Sequence, residues 1–157
     1  MPRPVVAAAI VDSLACPTVL LACARAYPPN LRGQFELPGG KVEPGEEHVA
    51  ALEREITEEL GARVQVGARV CPEGGLWWPI LGGRVMGVWL AQPAPGSRPP
   101  SAGSSHVEAR WVPLGELGGV PWIAADLPIV EAVVARLRLR RPVAVARDPG
   151  VPCERGH

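Results

Sequence analysis

Apolar residues fall along the chain in short runs divided by clusters of Gly, Pro and charge. Residues 5–11 (VVAAAIV) and 18–24 (TVLLACA) are almost unbroken apolar stretches of strand length, and the turn-prone segment 12–17 between them predicts a pair of buried strands. Residues 25–33 read as a loop, 35–37 as a short strand, and 38–45, with three glycines and two prolines, as a second loop. Residues 47–60 contain neither Gly nor Pro. Val49, Leu52, Ile56 and Leu60 return there at helical spacing, so a helix is expected, closed by Gly61 as a left-handed C-terminal cap. Further strands are expected at 62–70 and 84–90, joined through Gly74, Gly75, Trp77 and Trp78, which makes a sheet of four or five strands. Residues 93–105, with the run Pro95-Gly96-Ser97-Arg98-Pro99-Pro100, read as a mobile surface loop leading to a strand at 109–112. Leu127, Val130, Val133, Val134 and Leu137 then mark an amphipathic helix at 128–139. This order gives an α/β (α+β) fold in one domain over residues 1–140, followed by a flexible C-terminal tail at 141–157, which has no apolar stripe.

Composition narrows the classes of function. A chain of 157 residues is one domain with a sizeable core, and its 47% hydrophobic content excludes a disordered polypeptide. Lys plus Arg equals Asp plus Glu at 16 each, which disfavours binding to a nucleic-acid duplex, since that needs a basic surplus. Cys16, Cys23, Cys71 and Cys153 lack the close spacing of a zinc or redox motif, so reduced thiols are expected. The apolar run 5–11 is too short to span a bilayer and Arg3 alone is a poor start for a secretory signal; a cytoplasmic protein without a membrane partner is expected.

The chemistry concentrates between residues 40 and 62. At 100° per residue, Glu55, Glu58 and Glu59 share about 100° of helix surface with only the small Ala51 between them. Like charges about 5 Å apart repel by roughly 3 kcal/mol per pair at an effective dielectric near 20, and the helix holds no lysine to offset this. A hard divalent cation with oxygen ligands is the natural partner, and Mg²⁺ commonly binds substrate phosphate as well. Arg54, one turn before Glu58, is placed to hold that carboxylate. Gly39, Gly40 and Gly45 let backbone come close to a metal and a phosphate.

The segment resembles the Nudix box, G-x5-E-x7-R-E-U-x-E-E-x-G-U with U a bulky aliphatic. Gly40, Glu46, Arg54, Glu55, Ile56, Glu58, Glu59 and Gly61 match, and only Ala62 departs. The flanks, Arg25 and Phe35-Glu36-Leu37-Pro38-Gly39-Gly40-Lys41, look like the MutT-type branch of nucleoside triphosphate pyrophosphohydrolases. Arg110-Trp111-Val112 and 121–128 (PWIAADLP) are similar to the segment that closes over the base in members acting on cytidine nucleotides. The resemblance implies the Nudix fold, a mixed β-sheet between helices. It also implies metal-assisted attack of water on phosphorus, releasing a nucleoside monophosphate and pyrophosphate. Glu55 and Arg54 are then catalytic, with Glu55 as general base. Gly39, Glu55, Glu58 and Glu59 bind Mg²⁺, with Mn²⁺ as a substitute. Arg25, Glu36, Gly40, Lys41 and Asp126 contact substrate. A further carboxylate that such proteins carry six residues before the Trp of the later strand is Ser105 here.

Several residues have a plainer reading beside the functional one. Asp126 is a helix cap or a base contact, or both. Arg25, Glu36 and Lys41 can be surface charges. Trp77 and Trp78 point to opposite faces of a strand, so they cannot both be core; one can stack on a base or, equally, pack on the helix. His106 and Glu108 stand near the missing carboxylate but are not counted in the site. A cytidine triphosphate is the first expectation for the substrate and an oxidised purine triphosphate such as 8-oxo-dGTP the second. A nucleotide-sensing module without catalysis belongs to a different class. The complete set Glu55, Glu58 and Glu59 speaks against it and Ser105 mildly for it. Oligomeric state is left open, a homodimer being one form.

Overall fold

The computed structural model describes residues 3–140; the tail expected at 141–157 lies outside the described residues. Two sheets and two helices make up the fold. The first sheet runs β4 (Gly39–Lys41), β1 (Val5–Ile10), β7 (Val85–Pro93), β5 (Val64–Val70), with β6 (Trp78–Pro79) added to the start of β7. The second runs β3 (Phe35–Glu36), β2 (Val19–Arg25), β8 (His106–Pro113). β1 and β7 are parallel and every other pairing is antiparallel.

The two helices explain why β1 and β2 read as continuous apolar runs rather than as alternations. α1 (His48–Leu60) buries Ala51, Leu52, Ile56 and Leu60 against Val6, Ala8 and Ile10 of β1 and Leu21 and Cys23 of β2. α2 (Leu127–Arg140) buries Ile129, Val130, Val133 and Leu137 on the opposite side, against Ala7, Ala9, Leu20 and Ala22. Both faces are covered, so both sets of alternate residues must be apolar. The expected mixed sheet between helices is what forms, and Gly61 takes the left-handed φ of 63° that stops α1. Leu127, counted in the apolar stripe of the second helix, is instead 48% exposed at its first turn.

Three expectations are corrected. β1 and β2 are not a hairpin; they meet at a single bridge, Val11 to Leu20, and belong to different sheets. The Asp12 carboxylate accepts the N–H groups of Thr18 (2.8 Å) and Val19 (3.2 Å) and the Thr18 hydroxyl, folding the connection tightly, while β4 and β7 take both edges of β1. The loop expected at 38–45 contains a strand, β4. The loop at 93–105 is tied to its surroundings at two points: Ser101 N–H donates to Leu60 O at 3.0 Å and Arg63 N–H to Ser97 Oγ at 2.8 Å. Among the cysteines, Cys23 and Cys71 are free thiols, whereas Cys16 is disulfide-bonded, against the expectation of reduced thiols throughout. No helix among the described residues is long and apolar enough to cross a membrane.

Candidate active site

A cleft of about 480 Å³ opens between the two sheets, with Glu59 of α1 on its wall. Arg25, Glu36, Gly39, Gly40, Lys41, Glu59 and Asp126, all singled out from the sequence, line it. Val5 sits directly opposite Lys41 on one neighbouring strand and Met86 on the other, so these three side chains share the cleft face of the first sheet.

Arg54 organises the helix side. Its Nε and Nη2 grip Glu46 at 2.8 and 2.9 Å, its Nη1 reaches Glu55 at 2.9 Å and Glu58 at 3.3 Å, and Nη2 also donates to Lys41 O at 3.2 Å. The principal partner of Arg54 is therefore Glu46 rather than Glu58. One guanidinium offsets the repulsion that the sequence exposes, since five N–H donors in a fixed fork can serve several carboxylates. These charge-assisted bonds hold Glu46 at a pKa of about 2, and the same carboxylates push Arg54 up.

The three carboxylates of the helix meet different surroundings. Glu58 is 60% exposed. Glu55 lies against Gly40, where a Cβ would overlap its carboxylate. Glu59 turns inward, and its Oε2 is buried with no hydrogen-bond partner. Burial is the main cause that raises the Glu59 pKa to about 7; Glu36 and Glu55 add to it, while His106 and the Gly39 N–H oppose it. Gly39 is also sterically required, because a Cβ there would run into the backbone of Val6 on β1. Neither Gly39 nor Gly40 has a positive φ. Their smallness serves close approach of protein to protein.

Among the described residues no group of three His, Cys, Asp or Glu side chains is placed to hold a metal ion. The donor set nevertheless suits a hard cation held openly. A buried carboxylate oxygen lacking any donor, in a site where burial already favours a bound proton, is an oxygen that a cation would satisfy. Glu59 lines the cleft and Glu55 lies against Gly40 on its wall, whereas Glu58 is exposed and lines, with Arg54, a separate cavity.

Asp126, also on the cleft wall, is 3% exposed, and its Oδ2 accepts the Leu37 N–H at 2.9 Å. It closes a 3-10 turn, Ala124–Asp126, and its carboxylate is tied to Leu37 rather than to the start of α2. The cap reading is thereby corrected. Burial raises its pKa from 3.8 to about 7, with the Leu37 N–H opposing, Glu36 adding and Arg25 opposing. Arg25 and Glu36 pair at 2.9 Å.

Neither tryptophan of the 77–78 pair lines the cleft. Trp78 is buried, donating to Val70 O at 3.0 Å, and Trp77 covers Arg69, whose guanidinium lies 4.6 Å from the rings of both Trp77 and Trp89. Ile80, Leu81, Arg84 and Met86 complete the far wall and were not anticipated. The only signal they offered was an apolar pair after two tryptophans, which marks no chemistry. Ser105 does line the cleft, and His106 beside it is buried against Glu36, a contact that sequence reasoning missed.

The family model described as NUDIX domain matches residues 1–133. A protein of Mycobacterium tuberculosis that carries the provisional name 8-oxo-dGTP diphosphatase 2 is 42% identical over 125 residues, covering 78% of this chain and 81% of that protein. The CTP pyrophosphohydrolase of Escherichia coli K12 is 32% identical over 123 residues, covering 78% of this chain and 87% of its own. Among solved structures, the E. coli ORF135 protein superimposes with a TM-score of 0.68 at 31% identity, over 90% of this chain and 94% of that one.

Proposed function

The chain belongs to the NUDIX domain family and is a hydrolase acting on acid anhydrides, and from that premise we propose that it cleaves a (deoxy)nucleoside triphosphate to the monophosphate and pyrophosphate. The carrying observation is one cleft lined by both the residue with an unpartnered buried oxygen, Glu59, and the buried Asp126 carboxyl. A triphosphate fits the first and a base the second. Glu55, Glu58 and Glu59, with the Gly39 carbonyl, are the groups to hold Mg²⁺, or Mn²⁺ in its place. That ion supplies neutralisation of phosphate charge and a more acidic water. Glu55, steadied by Arg54 on one side and packed on Gly40 on the other, accepts the proton of the attacking water. Lys41 and Arg25 offer cationic donors to the phosphates or base, Gly40 leaves room for the chain to pass, and Glu36 fixes Arg25. A nucleotide substrate supports the reading of a cytoplasmic protein.

For the base, the surroundings of Asp126 reverse the order of expectation from the sequence. A carboxyl that keeps its proton up to about pH 7 donates to a carbonyl, which an oxidised purine presents and the amine edge of cytosine does not. The 42% identical relative supports 8-oxo-dGTP in the same sense. The cytidine reading stands second, supported by the CTP-cleaving relative and by the acceptor that Asp126 becomes once ionised. The test is kcat/KM for 8-oxo-dGTP, dCTP and dUTP between pH 6 and 8.5. The ratio of 8-oxo-dGTP to dCTP should fall as pH rises through about 7, and in Asp126→Asn it should lose that dependence. A flat ratio in the wild type removes Asp126 from base selection. Failure to release pyrophosphate from any of the three with Mg²⁺ present overturns the proposal and leaves the sensing module.

A further inference from the structure

Behind the cleft three strands contribute one residue each to a connected row. Arg25 ends β2, Glu36 ends β3, and His106 opens β8 opposite Arg25 at a shift in register. Glu36 Oε1 accepts Arg25 Nη1 at 2.9 Å, and Glu36 Oε2 lies 2.9 Å from His106 Nε2. Arg25 Nε donates in turn to Tyr27 O at 3.0 Å.

The His106 side chain is 1% exposed and its Nδ1 is buried without a hydrogen-bond partner. An unpaired buried acceptor is tolerated more readily than an unpaired N–H, so the ring carries its proton on Nε2 and donates it to Glu36. An apolar side chain of similar size would leave no polar atom stranded there. Histidine is thus a poor choice for packing and a good one for gripping a carboxylate.

We propose that His106 is a positioning residue: it and Arg25 clamp the Glu36 carboxylate from both sides, and the clamp presents the remaining N–H groups of Arg25 to the nucleotide. This rests on the reading of the cleft as a nucleotide site. Glu36 itself lines the cleft, as does Arg25. Arg25 is therefore ordered before substrate arrives. Losing such order costs about 0.5 to 1.5 kcal/mol per side chain, or roughly threefold to tenfold in affinity.

The test compares His106→Leu, which fills the space without a donor, with His106→Gln, whose amide nitrogen reaches the place of Nε2. His106→Leu should keep or raise Tm, raise KM about threefold to tenfold and leave kcat nearly unchanged, while His106→Gln restores the wild-type KM. Crystal structures of the variants should show Glu36 in one conformation with His or Gln and released from Arg25 with Leu. An unchanged KM in His106→Leu, a fall in kcat alone, or a Glu36–Arg25 pair that persists in its crystal structure overturns the clamp. If the wild type cleaves no nucleotide, the functional reading fails by itself, and the position of Glu36 in the His106→Leu structure still decides for or against the clamp.

Discussion

Replacing Asp126 by asparagine should stabilise the protein, and by more as pH rises. Asp126 is 3% exposed, and its pKa moves from 3.8 to about 7, chiefly through burial. At pH values below 3.8 the folded and unfolded chains both hold the proton and the residue is neutral to stability. Between 3.8 and about 7 the unfolded chain releases the proton while the folded one keeps it, so stability falls as pH rises. Above about 7 the full penalty is present. At 1.36 kcal/mol per pKa unit, this difference corresponds to an upper value of about 4 kcal/mol. Asparagine has no proton to release, and its carbonyl oxygen can still accept the Leu37 N–H. Urea unfolding of both proteins at pH 4.5, 6 and 8 measures the difference directly, since contributions from distant groups cancel between them. The advantage of the variant should be small at pH 4.5 and reach a few kcal/mol at pH 8. An advantage independent of pH, or a variant less stable than the wild type at pH 8, would refute the reasoning.

Other expectations follow from particular contacts. Glu59→Gln removes a buried carboxylate with an unpartnered oxygen, so turnover should fall by orders of magnitude while Tm holds or rises, and excess chelator should abolish wild-type turnover until Mg²⁺ is restored. A parallel loss of Tm would instead assign Glu59 a structural role. Ser105→Glu adds a carboxylate to the cleft wall and should lower the Mg²⁺ concentration for half-maximal rate; an unchanged metal titration means another group already serves. Gly39→Ala and Gly40→Ala should separate stability from activity. The first drives a methyl into the Val6 backbone and should cost several °C in Tm, whereas the second displaces the Glu55 carboxylate and should lower kcat far more than Tm. Equal effects of the two on Tm would contradict this division.

What the sequence disclosed and what it withheld divide by distance along the chain. The limits of α1, its buried stripe and the stop at Gly61 depend on residues a few positions apart, and periodicity captures these. β4 was hidden because Gly39 and Gly40 have poor strand propensity; only the open edge of β1 makes them a strand. The runs that became β1 and β2 announced themselves, but their partners, β4 and β7 for one and β3 and β8 for the other, lie far along the chain, where no local pattern reports them. In the site, the carboxylates and Arg54 lie within one short segment and were found. Asp126 depends on Leu37, 89 positions away, and His106 on Glu36, 70 positions away. A lone histidine before a strand carries no signal until its partner is known. The far wall, from Ile80 to Met86, is shape without motif.

The cleft is bounded by two walls of separate ancestry in the chain. One comes from residues 36–59, where Arg54 fastens the loop at 41–46 onto the helix, and the other from 80–86 and 123–126. Segment 123–126 is tied to the first wall at its start, where Asp126 accepts the Leu37 N–H and Ile123 donates to Phe35 O. On the reading of the cleft proposed above, residues 36–59 carry hydrolysis, and 80–86 is the part to exchange. A graft of residues 78–86 from a relative of different base preference, made without touching 36–59, amounts to replacing the address while keeping the engine. It explains in material terms why one short motif is compatible with enzymes named for cytidine and for oxidised guanine substrates alike.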